Sequence, residues 1–417
     1  MSLWDKFTLY IIYAKCVDHG TEVYRAYNSD IGANFFLPFG KVLLSMTILL
    51  REVTTKKDLK TFVYLPEKIH RNHSQWLPPI YSDDLKFFDP AKNPSFANCD
   101  YRLVIAEKNG IPVGRIMGVV NRKHNEMFNT KNARFSFMEC YEDKEVFAAL
   151  IGDIEQWGKN LGMNKIIGPF TFSDREMQGF LIEGFEHEPV VDSASNFEFM
   201  PKLLSGLGYE KELDCVIYRY PLSNPLPEIY DRIYDRVMKK KTMTFIEFTS
   251  HSQLKPYVVP VLRLVNESFG DIYGFIAMTE NEMHDLAKRY LPLLDHRFVK
   301  IALKDDKVVA MMIAMPNMYK GLQKAKGRLF PFGILHILRA IKKATTINTM
   351  LGAVHPDYQK QGLDVFLSMT TIKSAKKAGM TSVDTHVVME ENNDMMGELK
   401  RYGAHLLKKF RVYQKVL

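Results

Sequence analysis

The alternation of apolar and polar positions from Met46 onward predicts strands and helices that occur twice in the same order. Residues 101–120 (YRLVIAEKNGIPVGRIMGVV) and 298–316 (FVKIALKDDKVVAMMIAMP) each contain two apolar strands around a short polar turn, which is typical of a hairpin. Residues 147–170 and 366–388 each contain a helical apolar pattern that ends at a Gly and precedes an apolar strand. The chain therefore contains two related sets of elements.

The third repeated unit defines where each set ends. Residues 200–220 and 396–416 each predict a short helix, a Gly turn and a closing pair of strands. The repeats are about 200 residues apart, which indicates two copies of one domain rather than a solenoid. We expect one domain over 46–222 and a second over 223–417, on either side of the Pro-rich segment YPLSNPLPEIYD.

Residues 1–45 fit this repeat poorly. Their short apolar patch is flanked by Asp5 and Lys15 and lacks a small-residue cleavage site, which argues against a secretory signal. We expect them to be either a start-site artefact or a loosely docked extension.

The order of elements predicts a mixed α/β sheet with a parallel crossover in the middle of each copy. Ligands of such sheets bind beyond the carboxyl ends of the central strands. In the second copy the segment AVHPDYQKQGLDVFLSM, from Ala353 to Met369, lies at that position. Backbone N–H groups in the first turn of a helix are unpaired and attract phosphate, Gly362 permits close approach, and Lys360 adds positive charge. The alternative is an ordinary strand-to-helix turn with a solvated lysine.

These residues, followed by EENNDMMGELKRYGA and KKFRVYQKVL, resemble the coenzyme A-binding core of the GNAT superfamily of N-acyltransferases. Gln359 and Gly362 match the Gln-x-x-Gly motif of that superfamily, whereas Asp364 replaces its final Gly or Ala. The first copy has FMECYEDKEVFAAL at the equivalent place, without the motif, so one cofactor per chain is expected. The resemblance implies an acyl-CoA co-substrate, no metal, and cofactor contacts from Gly352, Ala353, Val354, Gln359, Lys360, Gln361, Gly362, Leu363 and Asn392.

A closer resemblance covers most of the chain after Met46. The segments IIGPFTFSDREMQGFLIEGFEHEP, LVNESFGDIYGF and MLGAVHPDYQKQGLD are similar to a bacterial family of tandem GNAT proteins that has been linked to ceramide synthesis. This resemblance implies transfer of a fatty acyl group from a thioester to a long-chain amine. The alternatives are acetyl transfer to a small soluble amine, an aminoacyl-tRNA-dependent transferase, and a non-catalytic binding protein. Coenzyme A and acyl carrier protein both remain open as carriers of the acyl group.

Four residues are candidates for the chemistry. An alkylammonium ion has a pKa near ~10 and must lose a proton before it attacks a thioester. In a predicted strand over 383–390, Glu390 is the first choice for the base and His386 the second, because period-two alternation places them with Asp384 on one face. Glu390 could equally be a helix-capping or surface carboxylate, and Asp384 is expected to form a structural salt bridge.

The other two candidates concern the amine and the thiolate. Glu267 is expected beside the acceptor channel, where it could bind the amine; a solvated acid on an amphipathic helix is the alternative. Many superfamily members protonate the leaving thiolate with a Tyr at the position that Leu399 holds here. Tyr402 or Tyr413 could replace it, or could be packing residues, and backbone N–H groups at 352–354 are expected to stabilise the oxyanion.

The distribution of charge along the chain suggests a contact with an anionic membrane. The net charge is +8, and no acidic residue occurs between Asp306 and Asp357. Within that stretch, residues 328–343 predict a basic amphipathic helix of the kind that lies on anionic membranes, although a helix packed on the sheet is the alternative. We expect a cytoplasmic protein with a peripheral contact at the inner membrane, a lipid or small amine as substrate, no nucleic acid partner, and four reduced cysteines.

Overall fold

The computed structural model describes residues 14–18, 21–28, 33–36, 48–240, 242–270 and 272–417. Two compact units are present, Met1–Thr47 and Ile48–Leu417. In the first unit, β1 (Ala14–Asp18), β2 (Thr21–Asn28) and β3 (Ala33–Phe36) form an antiparallel sheet. The prediction for residues 1–45 lies mostly outside the described residues.

The second unit contains both predicted sets of elements. Its strands are β4 (Ile48–Glu52), β5 (Cys99–Lys108), β6 (Ile111–Asn121), β7 (Asn132–Cys140), β8 (Lys165–Gly168), β9 (Phe180–Glu183), β10 (Glu210–Pro221), β11 (Thr244–Glu247), β12 (Val299–Lys304), β13 (Lys307–Pro316), β14 (Thr346–Val354), β15 (Ser382–Asp384), β16 (Val388–Met389) and β17 (His405–Val416). Its α-helices are α1 (Lys56–Ile69), α2 (Tyr81–Phe87), α3 (Arg122–Met127), α4 (Lys144–Asn160), α5 (Phe199–Gly206), α6 (Glu228–Lys239), α7 (Val258–Ser268), α8 (Glu280–Tyr290), α9 (Tyr319–Ala325), α10 (Gly333–Lys343), α11 (Leu363–Lys377) and α12 (Asn393–Tyr402). Both predicted hairpins are confirmed, as β5–β6 and β12–β13.

All these strands belong to one 14-stranded sheet, and the fold is the predicted mixed α/β class. Its main path runs β11-β12-β13-β14-β15-β10-β17-β8-β7-β6-β5-β4. Strand β10, the last strand of the first set, pairs with β15 of the second, while β17, the last strand of the second, pairs with β8 of the first. The two sets therefore share their closing strands across the predicted boundary.

The predicted closing strand pairs are wrong, because β10 and β17 are each a single strand of 12 residues. They pair antiparallel with each other, and Arg411 Nε donates to Asp214 Oδ1 at 2.7 Å across the junction. Burial would raise the pKa of Asp214, but hydrogen bonds from Arg411 and Lys211 lower it to about 2. This paired carboxylate, 1% exposed, stabilises the contact between the two closing strands.

Apolar residues on both faces of the sheet form the core. In the first set, α4 packs Val146, Phe147, Leu150 and Ile154 onto the sheet, because these positions recur at helical spacing on one face. In the second set, α11 is buried along most of its length, with Leu363, Phe366 and Leu367 in contact with β12 and β13 residues. Both helices are thereby held at the carboxyl ends of the strands that precede them.

Candidate functional site

The central parallel strands of the second set separate partway along their length. Strands β14 and β15 pair at three positions, from Thr346↔Ser382 to Asn348↔Asp384. Strand β15 also pairs with β10, and beyond Asp384 the chain leaves β14, so that the short strand β16 pairs with β10 only. This opens a gap beside the carboxyl-terminal half of β14, at the place where the sequence predicts a ligand.

The backbone of β14 is irregular at the start of this gap. The register with β13 changes between Leu351 and Thr349, so Met350 is an extra residue, which is a β-bulge. Residues Gly352–Val354 pair with β13 along one edge, while their other edge has no β15 partner. Because N–H groups alternate between the two edges of a strand, part of this backbone is available to a ligand in the gap.

The Gln-x-x-Gly segment lies directly after β14. Gly362 has φ +86° and is the N-cap of α11, and no side chain caps this helix end. A Cβ at Gly362 would lie 2.7 Å from Ile233 Cγ2, so space as well as backbone conformation selects glycine here. The open amides of the first turn fit a pyrophosphate, as the sequence predicts.

The other predicted cofactor residues lie on both sides of the gap. Gln359 Nε2 donates to the carbonyl of Val354 at 3.3 Å, and Lys360 is exposed with φ +59°. Asp364, the departure from the GNAT motif, is exposed in the first turn of α11. Asn392 caps α12 by accepting a hydrogen bond from Met395 N at 3.0 Å, so its side-chain carbonyl already has a partner.

Helix α6 brings an unpredicted cation, Arg236, to the same loop. Arg236 Nη2 lies 4.0 Å from the Cβ position of Gly362. Arg232, Lys239 and Lys240 surround the same shallow depression on α6, together with Asp235. The sequence reasoning missed these residues because α6 carries no motif of its own.

The predicted strand over 383–390 is interrupted, so its alternation does not place the candidate bases as expected. Glu390 accepts from Lys409 Nζ at 2.7 Å and from Lys211 Nζ at 3.4 Å. The hydrogen bond from Lys409, with a smaller one from Lys211, lowers the pKa of Glu390. Asp384 forms the expected salt bridge, in which Arg219 donates twice, at 2.7 and 2.8 Å.

The remaining candidates lie in three different environments. Burial lowers the pKa of His386, although the carboxylate of Asp192 opposes the shift. Glu267 is exposed, with its Oε2 3.8 Å from Nε2 of His355, the first residue after β14. Tyr402 stacks on Tyr230 with ring centroids 4.8 Å apart, and burial raises its pKa.

Tyr413 occupies a fourth environment. It pairs with Gly168 and packs in the core of the first set, because β17 crosses to β8.

A large cavity opens at the point where β14 and β15 separate. Its volume is about 1050 Å³, and Asn348 and Met350 of β14 form part of its wall. Asn348 is 2% exposed, and its Nδ2 has no hydrogen-bond partner among the described residues. Drug-sized ligands occupy pockets of about 300–1,000 Å³, so this cavity is slightly larger than that range.

Both sets of elements contribute to the cavity wall. Helix α10 places Ile334, Ile337, Leu338 and Ile341 along it, the apolar stripe that the sequence predicts for this helix. The first set contributes residues 136–139 of β7, where a second β-bulge occurs and Phe137 has φ +47°. The sequence reasoning did not find this cavity, since its wall comes from segments more than 200 residues apart.

A network of charged side chains extends the wall formed by β7. Glu139 accepts from Arg115 Nη2 at 3.2 Å and lies 3.0 Å from His70 Nε2, and Arg115 also donates to the carbonyl of Phe62. Burial would raise the pKa of Glu139, but its interactions with Arg115 and His70 outweigh that effect and lower the pKa. Asp84 of α2 faces the same space without a partner among the described residues.

The described helices include none that is both long and apolar enough to span a bilayer. Helix α10 nevertheless presents an apolar surface to solvent: Phe330 and Phe332 just before it are 78% and 66% exposed, and Leu338 is 55% exposed. Two cations of the acid-free stretch are neutralised, because Arg328 pairs with Glu67 and Lys320 pairs with Glu188. The predicted positive surface is therefore reduced at these two positions.

Comparisons with known proteins agree with this architecture. No protein-family model matches the chain. Protein YghO of Escherichia coli (strain K12) is 26% identical over 381 residues, 89% of this chain and 96% of that protein. A bacterial ceramide synthase of Caulobacter vibrioides (strain NA1000 / CB15N) is 24% identical over 388 residues, 91% of this chain and 100% of that protein.

Among solved structures, a tandem GNAT protein from the clavulanic acid biosynthesis pathway matches with a TM-score of 0.50 and 10% identity. The match covers 89% of this chain and 98% of that one. The chain thus has the tandem GNAT fold predicted from its sequence and resembles the bacterial ceramide synthase.

Proposed function

We propose that the protein is an acyl-CoA-dependent N-acyltransferase that forms an amide between a fatty acyl group and a long-chain amine, with a sphingoid amine as the best candidate. The observation that carries this proposal is the apolar cavity of about 1050 Å³ at the point where β14 and β15 separate. A cavity of this size suits a chain-bearing substrate better than a small polar amine.

The donor side of the proposal rests on β14 and the loop that follows it. The open amides at the start of α11 would hold the pyrophosphate of coenzyme A, with Gln359–Leu363 around it. Strand β14 joins that loop to the cavity wall at Met350, and an extended thioester arm along Gly352–Val354 would follow the same path. Donor and acceptor would then meet where the strands separate.

The acceptor side rests on α10 and on the relatives. The apolar side chains of α10 that line the cavity would contact the hydrocarbon chain of the amine. The bacterial ceramide synthase of Caulobacter vibrioides matches along its full length, which favours a sphingoid amine over other long-chain amines.

Residues 328–343 are proposed as a peripheral contact with anionic membrane. Phe330 and Phe332 are exposed apolar side chains, and Arg339, Lys342 and Lys343 are exposed cations on the adjoining helix. This combination is typical of helices that lie in the interface of a bilayer. A lipid amine could reach the cavity from such a position.

The proposed reaction needs two proton transfers. The ammonium first loses one proton, the amine nitrogen then attacks the thioester carbonyl to form the C–N bond, and the C–S bond breaks as the thiolate leaves. The nitrogen gives its second proton to the thiolate, so the products are the amide, coenzyme A thiol and one proton. Glu390 and His386 remain predictions for the base and Tyr402 for the thiolate acid; the ion pairs of Glu390 weaken it in that role.

The experiment is mass spectrometry of products after the purified chain is mixed with acyl-CoA of short or long chain and with sphinganine or a short alkylamine. We expect an amide of sphinganine with the long-chain donor. If only the short alkylamine forms an amide, the acceptor is a soluble amine and the lipid acceptor is wrong. If no pair of donor and amine forms an amide, the acyltransferase proposal is overturned.

A further inference from the structure

The charged groups around the cavity do not cancel. Three guanidinium groups line it, and each is paired with a carboxylate that also lines it: Arg115 with Glu139 at 3.2 Å, Arg289 with Asp83 at 2.9 Å, and Arg297 with Asp295 at 2.6 Å. Two further carboxylates in the wall, Asp84 and Asp192, have no ion-pair partner in the part of the chain that the structure describes. His70 and His296 also line the cavity, and with these histidines neutral its wall carries excess negative charge in a protein whose net charge is +8.

The two unpaired carboxylates differ in exposure. Asp192 is exposed, so water screens its charge, whereas Asp84 is only partly accessible. Asp84 lies on α2 between the buried Tyr81 and Phe88, which hold the helix against the first set of strands. Its neighbour Asp83 is already paired with Arg289. Of these two adjacent carboxylates, only Asp84 is therefore free to pair with a cationic ligand.

From this geometry we infer that the cavity binds a primary alkylammonium ion, with the hydrocarbon chain along α10 and the carboxylate of Asp84 as the partner of the ammonium head. This inference rests on the proposed function and gives the first set of elements a role in it. The second set would supply the donor site and the α10 surface for the hydrocarbon chain, and the first set would supply the partner of the ammonium head, although it lacks the cofactor motif. An anionic or neutral amphiphile would leave the negative charge uncompensated.

Protonation of Asp84 gives the inference a pH dependence. Burial raises the pKa of Asp84 to about 7, against the opposing charge of Arg115 and with smaller contributions from Glu139, Asp83 and Arg289. The facing groups thus come from β6, β7, α2 and α8. Below pH 7 the carboxyl group is largely neutral and attracts a cation weakly, whereas above pH 7 it is ionised. An alkylamine remains an ammonium ion throughout this range.

The test compares binding of decylamine and decanol, which share a chain but differ in head-group charge, by isothermal titration calorimetry of the full chain. We expect the wild type to bind decylamine at least about tenfold more tightly than decanol at pH 8, with a smaller ratio at pH 6. Asp84→Asn should remove both the preference and its pH dependence. Asp84→Glu should retain part of the preference, since it keeps the charge.

A matched control is available on the same segment. Asp89 is paired with Lys92 and does not line the cavity, so Asp89→Asn changes the net charge equally and should leave the preference intact. Loss of the preference in both variants, or equal affinity of the wild type for decylamine and decanol, would overturn the role of Asp84.

Two further measurements separate this inference from folding and from the proposed function. The folded state raises the pKa of Asp84 above its unfolded value, so ionisation between about pH 4 and pH 7 destabilises the wild type. Asp84→Asn removes that penalty and should unfold at a higher temperature than the wild type at pH 8. Amine binding needs no turnover, so a chain that prefers decylamine but forms no amide would contradict the acyltransferase proposal and leave the ammonium site standing.

Discussion

The two sets of elements use the same helix end in opposite ways. Helix α4 of the first set begins after Asp143, whose carboxylate accepts from the backbone N–H groups of Glu145 and Val146. Lys108 pairs with the same carboxylate. Helix α11 of the second set begins after Gly362, which offers no side-chain cap. In the first set the amides already hold an anion from the chain itself, and in the second they are open to an anionic ligand.

The loops that connect the strand to the helix also differ between the two sets, in length. Three residues, 141–143, separate β7 from α4, whereas residues 355–362 separate β14 from α11. The longer loop leaves room for a phosphate group between the strand and the helix. Both sets nevertheless keep a bulged strand, β7 with Phe137 and β14 with Met350, and both bulges line the same cavity. The two sets therefore differ at their helix ends but both contribute a bulged strand to one cavity.

The largest effect is expected for Gly362→Ala, which tests whether the open helix end of α11 binds coenzyme A. At φ +86° a side chain is strained, and its Cβ would lie 2.7 Å from Ile233, so the loop must move away from the helix end. We expect coenzyme A to bind on the order of 10²-fold more weakly, as measured by calorimetry. The wild type should bind one coenzyme A per chain, because only the second set has an open helix end among the two compared.

Gly379→Ala is the matched control for this change. Gly379 lies just after the other end of α11, has φ +77°, and has open space around its Cβ position. Its replacement should cost roughly the same backbone strain, about 1–2 kcal/mol of stability, without affecting coenzyme A affinity. Equal loss of affinity in both variants would show that the helix, rather than its N-terminal amides, determines donor binding.

A smaller effect is expected for Arg236→Gln, which tests whether the cations of α6 contribute to coenzyme A binding. Arg236 is exposed and lies beside Gly362, so its contribution to phosphate binding is screened by water and salt. Affinity for coenzyme A should fall about fivefold at low ionic strength, and the difference from the wild type should diminish in 0.5 M salt. A difference that is unchanged by salt would point to altered packing of α6 instead.

The smallest effect is expected for Asp143→Ala, which removes the cap of α4. Loss of a helix cap typically costs ~1 kcal/mol, so the free energy of unfolding in urea should decrease by about that amount. Asp143→Asn keeps a capping side chain and should lose less. Neither variant should change the stoichiometry of coenzyme A binding; a second bound molecule in Asp143→Ala would mean that the cap alone excludes the donor from the first set.

Several features of the fold were predictable because they depend on neighbours in the chain. The hairpins follow from alternating apolar residues around a polar turn, and α11 follows from helical periodicity after Gly362. The alternation over 383–390 was misleading. Residues 383 and 384 pair with both β14 and β10, whereas 388 and 389 pair with β10 alone, and this pairing depends on a strand more than 160 residues away.

The duplicated order of elements, the tandem GNAT fold and the glycine at the start of α11 follow from the sequence alone, because periodicity, glycine conformation and helix amides act over a few residues. Three features became visible only in the three-dimensional structure. Strand β10 of the first set pairs with β15 of the second, and β17 of the second pairs with β8 of the first, which places Tyr413 in the core of the first set. Asp84 faces the same cavity as Asn348. The physical reason is that burial and ion pairing depend on distance in space. Residues on α2 and β14 have no relation along the chain until the sheet brings them to one cavity.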